Sequence, residues 1–155
     1  VADFTVDYEP WPVDVARTVS ETRRFTLPAG SNFTRMTSTL RSNRKEPLIV
    51  GIGISKRPIA GAPPGKIVKD EARARISWLG PTDPARGTMA AAVIVDPRIF
   101  AGFAEDADNY LILVRVQPGR AFVYYSGAAW DRGGDFAGQG DWNSYVDAQQ
   151  PDFRP

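Results

Sequence analysis

The sequence predicts an all-β chain: an antiparallel β-sandwich of about eight strands with two short helices, forming one domain over residues 1–155. Three observations carry this. Apolar residues recur with period two rather than 3.6 along most of the chain. Clusters of Pro, Gly and Asn punctuate the periodic stretches. One nearly continuous apolar run, "TMAAAVIV" (88–95), reads as a central strand.

The elements follow in order. "DFTVDY" sets Phe4, Val6 and Tyr8 against Asp3, Thr5 and Asp7, a half-buried strand that "EPWP" (9–12) stops. "RTVSETRRFTL" (17–27) and "FTRMTSTLRS" (33–42) flank a turn at Pro28, Gly30 and Asn32. They read as an antiparallel pair whose Arg and Thr side chains form exposed cross-strand ladders. In "EPLIVGIGIS" (46–55), Leu48, Val50, Ile52 and Ile54 line one face, and Gly51 and Gly53 the other. Glycine weakens a strand, so something bulky is expected close to that second face. "KIVKDEARARISWL" (66–79) alternates at its end, with Ala72, Ala74, Ile76 and Trp78 on one side. "DPRIFAGFAED" (96–106) opens with a cap-and-proline signal and predicts a short helix near 97–104, interrupted at Gly102. "NYLILVRVQ" (109–117) and "AFVYYSGA" (121–128) form a hairpin across "PGR". "DWNSYVDAQQ" (141–150) predicts a terminal helix capped by Asp141, with Trp142, Tyr145 and Val146 on one face. Val93, Val95, Leu111 and Leu113 join the Leu48–Ile54 set in the expected core.

Composition narrows the function classes. A formal net charge of +1 gives no general pull on nucleic acid or an anionic membrane. The absence of cysteine removes disulfide and thiol chemistry, and the absence of histidine removes the commonest general base and metal ligand. No apolar run approaches a membrane span. The acidic "EDADN" (105–109) lacks the spacing of a calcium loop, so neither metal nor cofactor is expected. "GIGIS" lies within a strand and is no dinucleotide fingerprint. The chain starts at Val1 without a basic-then-apolar leader; a mature product, a processed fragment and an excised domain all fit.

The block from "AAVIVDPRIF" through "YYSGAAWDRGGDF" (91–136), followed by "WNSYV" (142–146), resembles the C-terminal part of an uncharacterised bacterial family, domain of unknown function number forty-eight sixty-one. "VSETRRFTLPAGSNFTRMTSTL" (19–40) and "LIVGIGISKRP" (48–58) resemble its preceding part. The "YYSGAAW" segment is the most specific piece. The resemblance implies a polysaccharide-utilisation setting, a periplasmic or secreted location, and a relationship to galactose-mutarotase-like supersandwich folds. It further implies that the chain is the C-terminal portion of a longer protein. Its partners would then be a uronate-containing glycan and either its own missing N-terminal half or a second copy.

Residues 121–136 and their surroundings supply the expected site. Tyr124 and Tyr125 point to opposite faces of one strand, so at most one meets a given cleft. One reading makes a tyrosine a sugar contact or proton-transferring phenol, its pKa lowered by Lys56, Arg57 or Arg120; the other makes both packing residues. Trp130 is either a platform for a pyranose face or a plug for the end of the sandwich. Asp131 and Asp135 either take hydrogen bonds from sugar hydroxyls or serve the turn. Arg57, beside Lys56, offers a bidentate grip on a carboxylate, or is a solvated charge at a strand end. Two function classes remain. One is part of a lyase- or hydrolase-type enzyme acting on uronate-containing glycan, with Tyr124 or Tyr125 catalytic. The other is a non-catalytic carbohydrate-binding or accessory sandwich.

Overall fold

The computed structural model describes residues 1–134 and 136–155. Ten strands form two antiparallel sheets: β1 (Ala2–Pro12), β2 (Thr18–Leu27), β3 (Phe33–Ser42), β4 (Leu48–Ser55), β5 (Lys66–Asp70), β6 (Arg75–Leu79), β7 (Met89–Val95), β8 (Phe100–Glu105), β9 (Asn109–Val116) and β10 (Ala121–Trp130). The large sheet runs β1-β2-β3-β10-β7-β6-β5, and the small one β4-β9-β8. A 3-10 turn (Asp131–Gly133) and one helix, α1 (Gln139–Asp147), complete the fold.

The sheets meet across a core built on Ile76, Val93, Val95, Ile112, Val114 and Tyr124. The other face of the large sheet is covered by α1, whose Trp142 is fully buried and stacks near Phe33 at 5.9 Å. Strand β7 therefore needs apolar side chains on both faces: Val93 and Val95 toward the small sheet, Ala90, Ala92 and Ile94 toward the helix. That double burial is why "MAAAVIV" shows no alternation. The predicted ladders on the β2–β3 pair are present and extend to β1. On the outer face Arg24 Nε donates to Asp3 at 2.8 Å, and Arg41 Nη1 donates to Thr22 Oγ1 at 3.0 Å.

Four expectations are corrected. Residues 97–104 are not a helix, so the described residues hold one α-helix and not two. Asp96–Ile99 is a turn in which Asp96 Oδ1 accepts the Arg98 N–H, and Phe100–Glu105 pairs with β9. A bulge between Phe100 and Gly102 shifts the register and brings Phe100 and Phe103 to the core side, 5.0 Å apart. The cap-and-proline signal that suggests a helix start serves a turn equally well, and here Asp96 closes a turn. Residues 66–79 are two strands, not one; Ala74, at φ 50°, closes the turn between them.

Leu111 and Leu113 face outward. Ile112 pairs with Ile52 and Val114 with Val50, so the even-numbered residues of β9 enter the core. Apolar residues of both parities in "YLILV" leave that choice to the pairing register. The same register explains the glycines of β4: a Cβ at Gly51 would sit 3.6 Å, and one at Gly53 3.1 Å, from Leu111 methyls. The bulky neighbour is thus the adjacent strand. Finally, α1 is capped by Gly138; Asp141 lies in its first turn and accepts the Ala137 N–H at 3.1 Å.

Candidate functional site

Seven strands against three cannot cover each other. The small sheet ends at β4, so the inner face of β1, β2 and β3 projects beyond it as an open wing. Between that wing and the free edge of β4 lies a cleft of about 500 Å³. Glu21, Arg23, Met36, Leu40 and Tyr124 line it from the large sheet. On the adjoining stretch of β1 and β2, Tyr8 lies opposite Glu21, Val6 opposite Arg23, and Phe4 opposite Phe25, with Phe4 and Phe25 stacked at 4.9 Å. Trp11, beyond an irregularity in β1, lines the same cleft.

Glu21 and Arg23 are two apart on β2 and share the inner face. Arg23 donates from Nε to Glu21 Oε1 at 2.9 Å and from Nη2 to Oε2 at 2.8 Å. Glu21 is only 8% exposed. A carboxylate that deep requires its cation, and the two-point geometry meets that need. The guanidinium carbon lies 5.2 Å from the Tyr8 ring centroid and 5.9 Å from each of Phe25 and Tyr124. Burial is the largest single influence and works against the charge on Arg23; the bond to Glu21, together with the charges of Glu21, Tyr124 and Tyr8, outweighs it and holds the arginine pKa above its ordinary value. Among the described residues Arg23 Nη1 makes no hydrogen bond. Burial pushes the Tyr124 phenol up to about 12, with Arg23 pulling the other way. A phenol held there stays protonated at neutral pH. Beside these groups Ser38 Oγ is buried without a hydrogen-bond partner. Opposite them, β4 is an edge strand and presents unpaired peptide groups to the cleft.

Of the residues singled out from sequence, only Tyr124 lines this cleft. The cation beside it is Arg23 rather than Lys56, Arg57 or Arg120. Tyr125 points to the other face, where its hydroxyl donates to the Asp152 carbonyl at 2.9 Å and its ring meets Phe153. Lys56 is committed to Glu105 at 2.7 Å and to the Asp106 carbonyl at 2.6 Å. Trp130 and Arg57 do come together, in a separate groove of about 710 Å³ at the far end of β10. Asp131 starts the 3-10 turn, its N–H donating to the Thr88 carbonyl, and lines a smaller hollow with Trp130 and Phe136. Asp135 lies outside the described residues. Sequence reasoning missed Tyr8, Trp11, Glu21 and Arg23. The available signal was parity: Glu21, Arg23 and Phe25 fall on one face of a strand otherwise read as a solvated ladder.

The chain matches the family model described as Domain of unknown function (DUF4861) over residues 1–154. It belongs to this family. No curated protein and no solved structure matches it. For this DUF4861 chain, function has therefore to be read from the cleft itself.

Proposed function

We propose that the chain binds carbohydrate in the wing cleft, as the recognition surface of a carbohydrate-active protein that handles uronate-containing glycan. The observation carrying this reading is the arginine–glutamate pair set among the rings of Tyr8, Phe25 and Tyr124, next to Trp11. A pyranose offers an apolar face, several hydroxyls and, in a uronate, a carboxylate. Tyr8 and Trp11, both partly exposed, supply ring faces. The Tyr124 phenol and the β4 edge supply hydrogen bonds, and Arg23 Nη1 supplies a charged donor. In this reading the groups bind and do not turn over, since the phenol is protonated and the carboxylate is held by its arginine. The family resemblance supports a bacterial polysaccharide-utilisation setting with a periplasmic or secreted location.

The test is titration calorimetry of the full-length protein with an oligogalacturonate and with a neutral oligosaccharide of equal length. Trp11→Ala should weaken binding by about 1–3 kcal/mol, the scale of ring stacking elsewhere. Arg23→Lys should reduce the preference for the acidic ligand. Unchanged affinity in both variants, with folding intact, sinks the proposal.

One observation favours a second reading, in which the chain is part of an enzyme completed by another layer. The outer face of the small sheet carries Leu111 and Leu113 beside Gly51 and Gly53, with Ile49 about half exposed, and α1 covers only the large sheet. Light scattering should then show the chain self-associating, and Leu113→Glu should suppress it.

A further inference from the structure

We infer that the groove between Arg57 and Trp130 is a second binding site, separate from the wing cleft, for an acidic ring-bearing ligand: a pyranose carrying a carboxylate or a sulfate. The inference stands independently of the wing cleft.

Two features of the groove support it. The first is a prepared platform. Trp130 is 46% exposed, and its indole N–H is spent on the Arg86 carbonyl at 2.6 Å, so what it offers a ligand is its ring. The loop that holds it is stapled from several sides. Gly80 N–H donates to the Met89 carbonyl at 2.8 Å, and Gly87 N–H to the Asp83 carbonyl at 2.7 Å. The Thr82 and Thr88 hydroxyls meet at 2.8 Å, and Arg132 Nη1 donates to the Ala85 carbonyl at 2.6 Å. A platform ordered in advance loses little freedom on binding.

The second feature is an uncommitted cation in an unfavourable backbone state. Arg57 adopts φ 43°, a left-handed conformation that an arginine rarely takes. Its side chain is exposed, and among the described residues it makes no ion pair and no hydrogen bond. The neighbouring Lys56 is paired, so the uncommitted charge at this strand end belongs to Arg57. Strain of this kind accumulates at functional positions. Asp83, the carboxylate on the groove wall, is turned to its own loop and accepts the Ala85 and Arg86 N–H groups.

Trp78 borders the groove through the six-membered edge of its indole at Gly80, while its Nε1 is buried beside Gly65, outside the groove. An aromatic ring face and a free guanidinium thus border one concavity whose other walls include Ile59, Pro58 and Met89. Aromatic stacking and a bidentate grip on an anion describe an acidic sugar residue.

The chain contains four tryptophans, so indole N–H resonances read both sites at once. Trp11 reports the wing cleft, Trp78 and Trp130 the groove, and Trp142, sealed beneath α1, reports folding. The full-length protein is titrated separately with an oligogalacturonate, a sulfated oligosaccharide and a neutral oligosaccharide. Movement of the Trp78 and Trp130 signals by either acidic probe supports the inference, and the more potent probe identifies the acid group. Arg57→Ala should weaken that response about tenfold, roughly 1.4 kcal/mol, with the Trp11 and Trp142 signals unchanged. The response should persist in Trp11→Ala. Silence of Trp78 and Trp130 toward both acidic probes overturns the inference, as does an equal response to the neutral probe that Arg57→Ala leaves intact. Movement of Trp11 alone leaves the wing proposal standing and removes this one.

Discussion

The two ends of the large sheet obey different rules. Strands β10, β7 and β6 are covered twice, by the small sheet on one side and by α1 on the other. Strands β1, β2 and β3 reach beyond these covers: Phe33 still packs under α1 and Val19 and Leu40 still join the core, but elsewhere one face is a charge ladder in water and the other opens on the cleft. The covered strands read as runs of Ala, Val and Ile, and the wing strands as Thr and Arg interleaved with Phe and Tyr. Stability should therefore reside in the first region and recognition in the second. Burial along the middle of the central strands leaves few groups free to meet a ligand except at their ends, where Trp130 and Met89 stay exposed, while the wing keeps rings and charges half exposed along its length.

The hardest test of that division is Trp142→Ala. Removing a fully buried indole from beneath the sheet should cost about 3–5 kcal/mol in a urea melt. A smaller loss than any wing substitution produces would break the comparison. Gly127→Ala sharpens its boundary, where β10 meets β3. A Cβ there would lie 2.7 Å from the Asn32 carbonyl oxygen and 2.7 Å from the Phe33 ring, so about 1–3 kcal/mol should be lost. At Gly133, where a Cβ meets open space, alanine should be nearly neutral.

Alkaline unfolding tests the one tyrosine that belongs to both regions. Tyr124 titrates near 12 when folded, and an unfolded tyrosine near 10. The unfolded chain loses its proton first, so this contribution to stability is complete below about pH 10 and disappears as pH rises toward 12. Tyr124→Phe should flatten that decline by roughly 2–3 kcal/mol, read as the difference between melts at pH 9 and 12. The smallest effect belongs to the wing. Phe4→Ala removes a stacked but half-exposed ring and should cost less than about 1.5 kcal/mol. A loss matching that of Trp142→Ala would mean that the wing is held as firmly as the centre.

Sequence by itself determined the β character of the chain, most strand positions, the terminal helix and the β2–β3 ladder, because these depend on period, turn residues and caps within a few positions. It did not separate a helix start from a turn at Asp96, since an aspartate followed by proline opens both, and the strand Phe100–Glu105 was missed with it. Nor did it give the inner parity of β9, where apolar residues fill both parities and only pairing with β4 chooses. The site divides in the same way. Trp130 and Arg57 line one groove, while Tyr124 and Tyr125 lie on opposite faces of the sheet. Glu21 and Arg23 looked like members of a solvated ladder because solvent exposure is not a property of one strand. It was decided by the small sheet ending at β4, which left the wing open, and by β1 and β10 bringing Tyr8 and Tyr124 alongside the guanidinium. Contacts between strands far apart in the chain carry no local signal, so only the tertiary structure could assemble them.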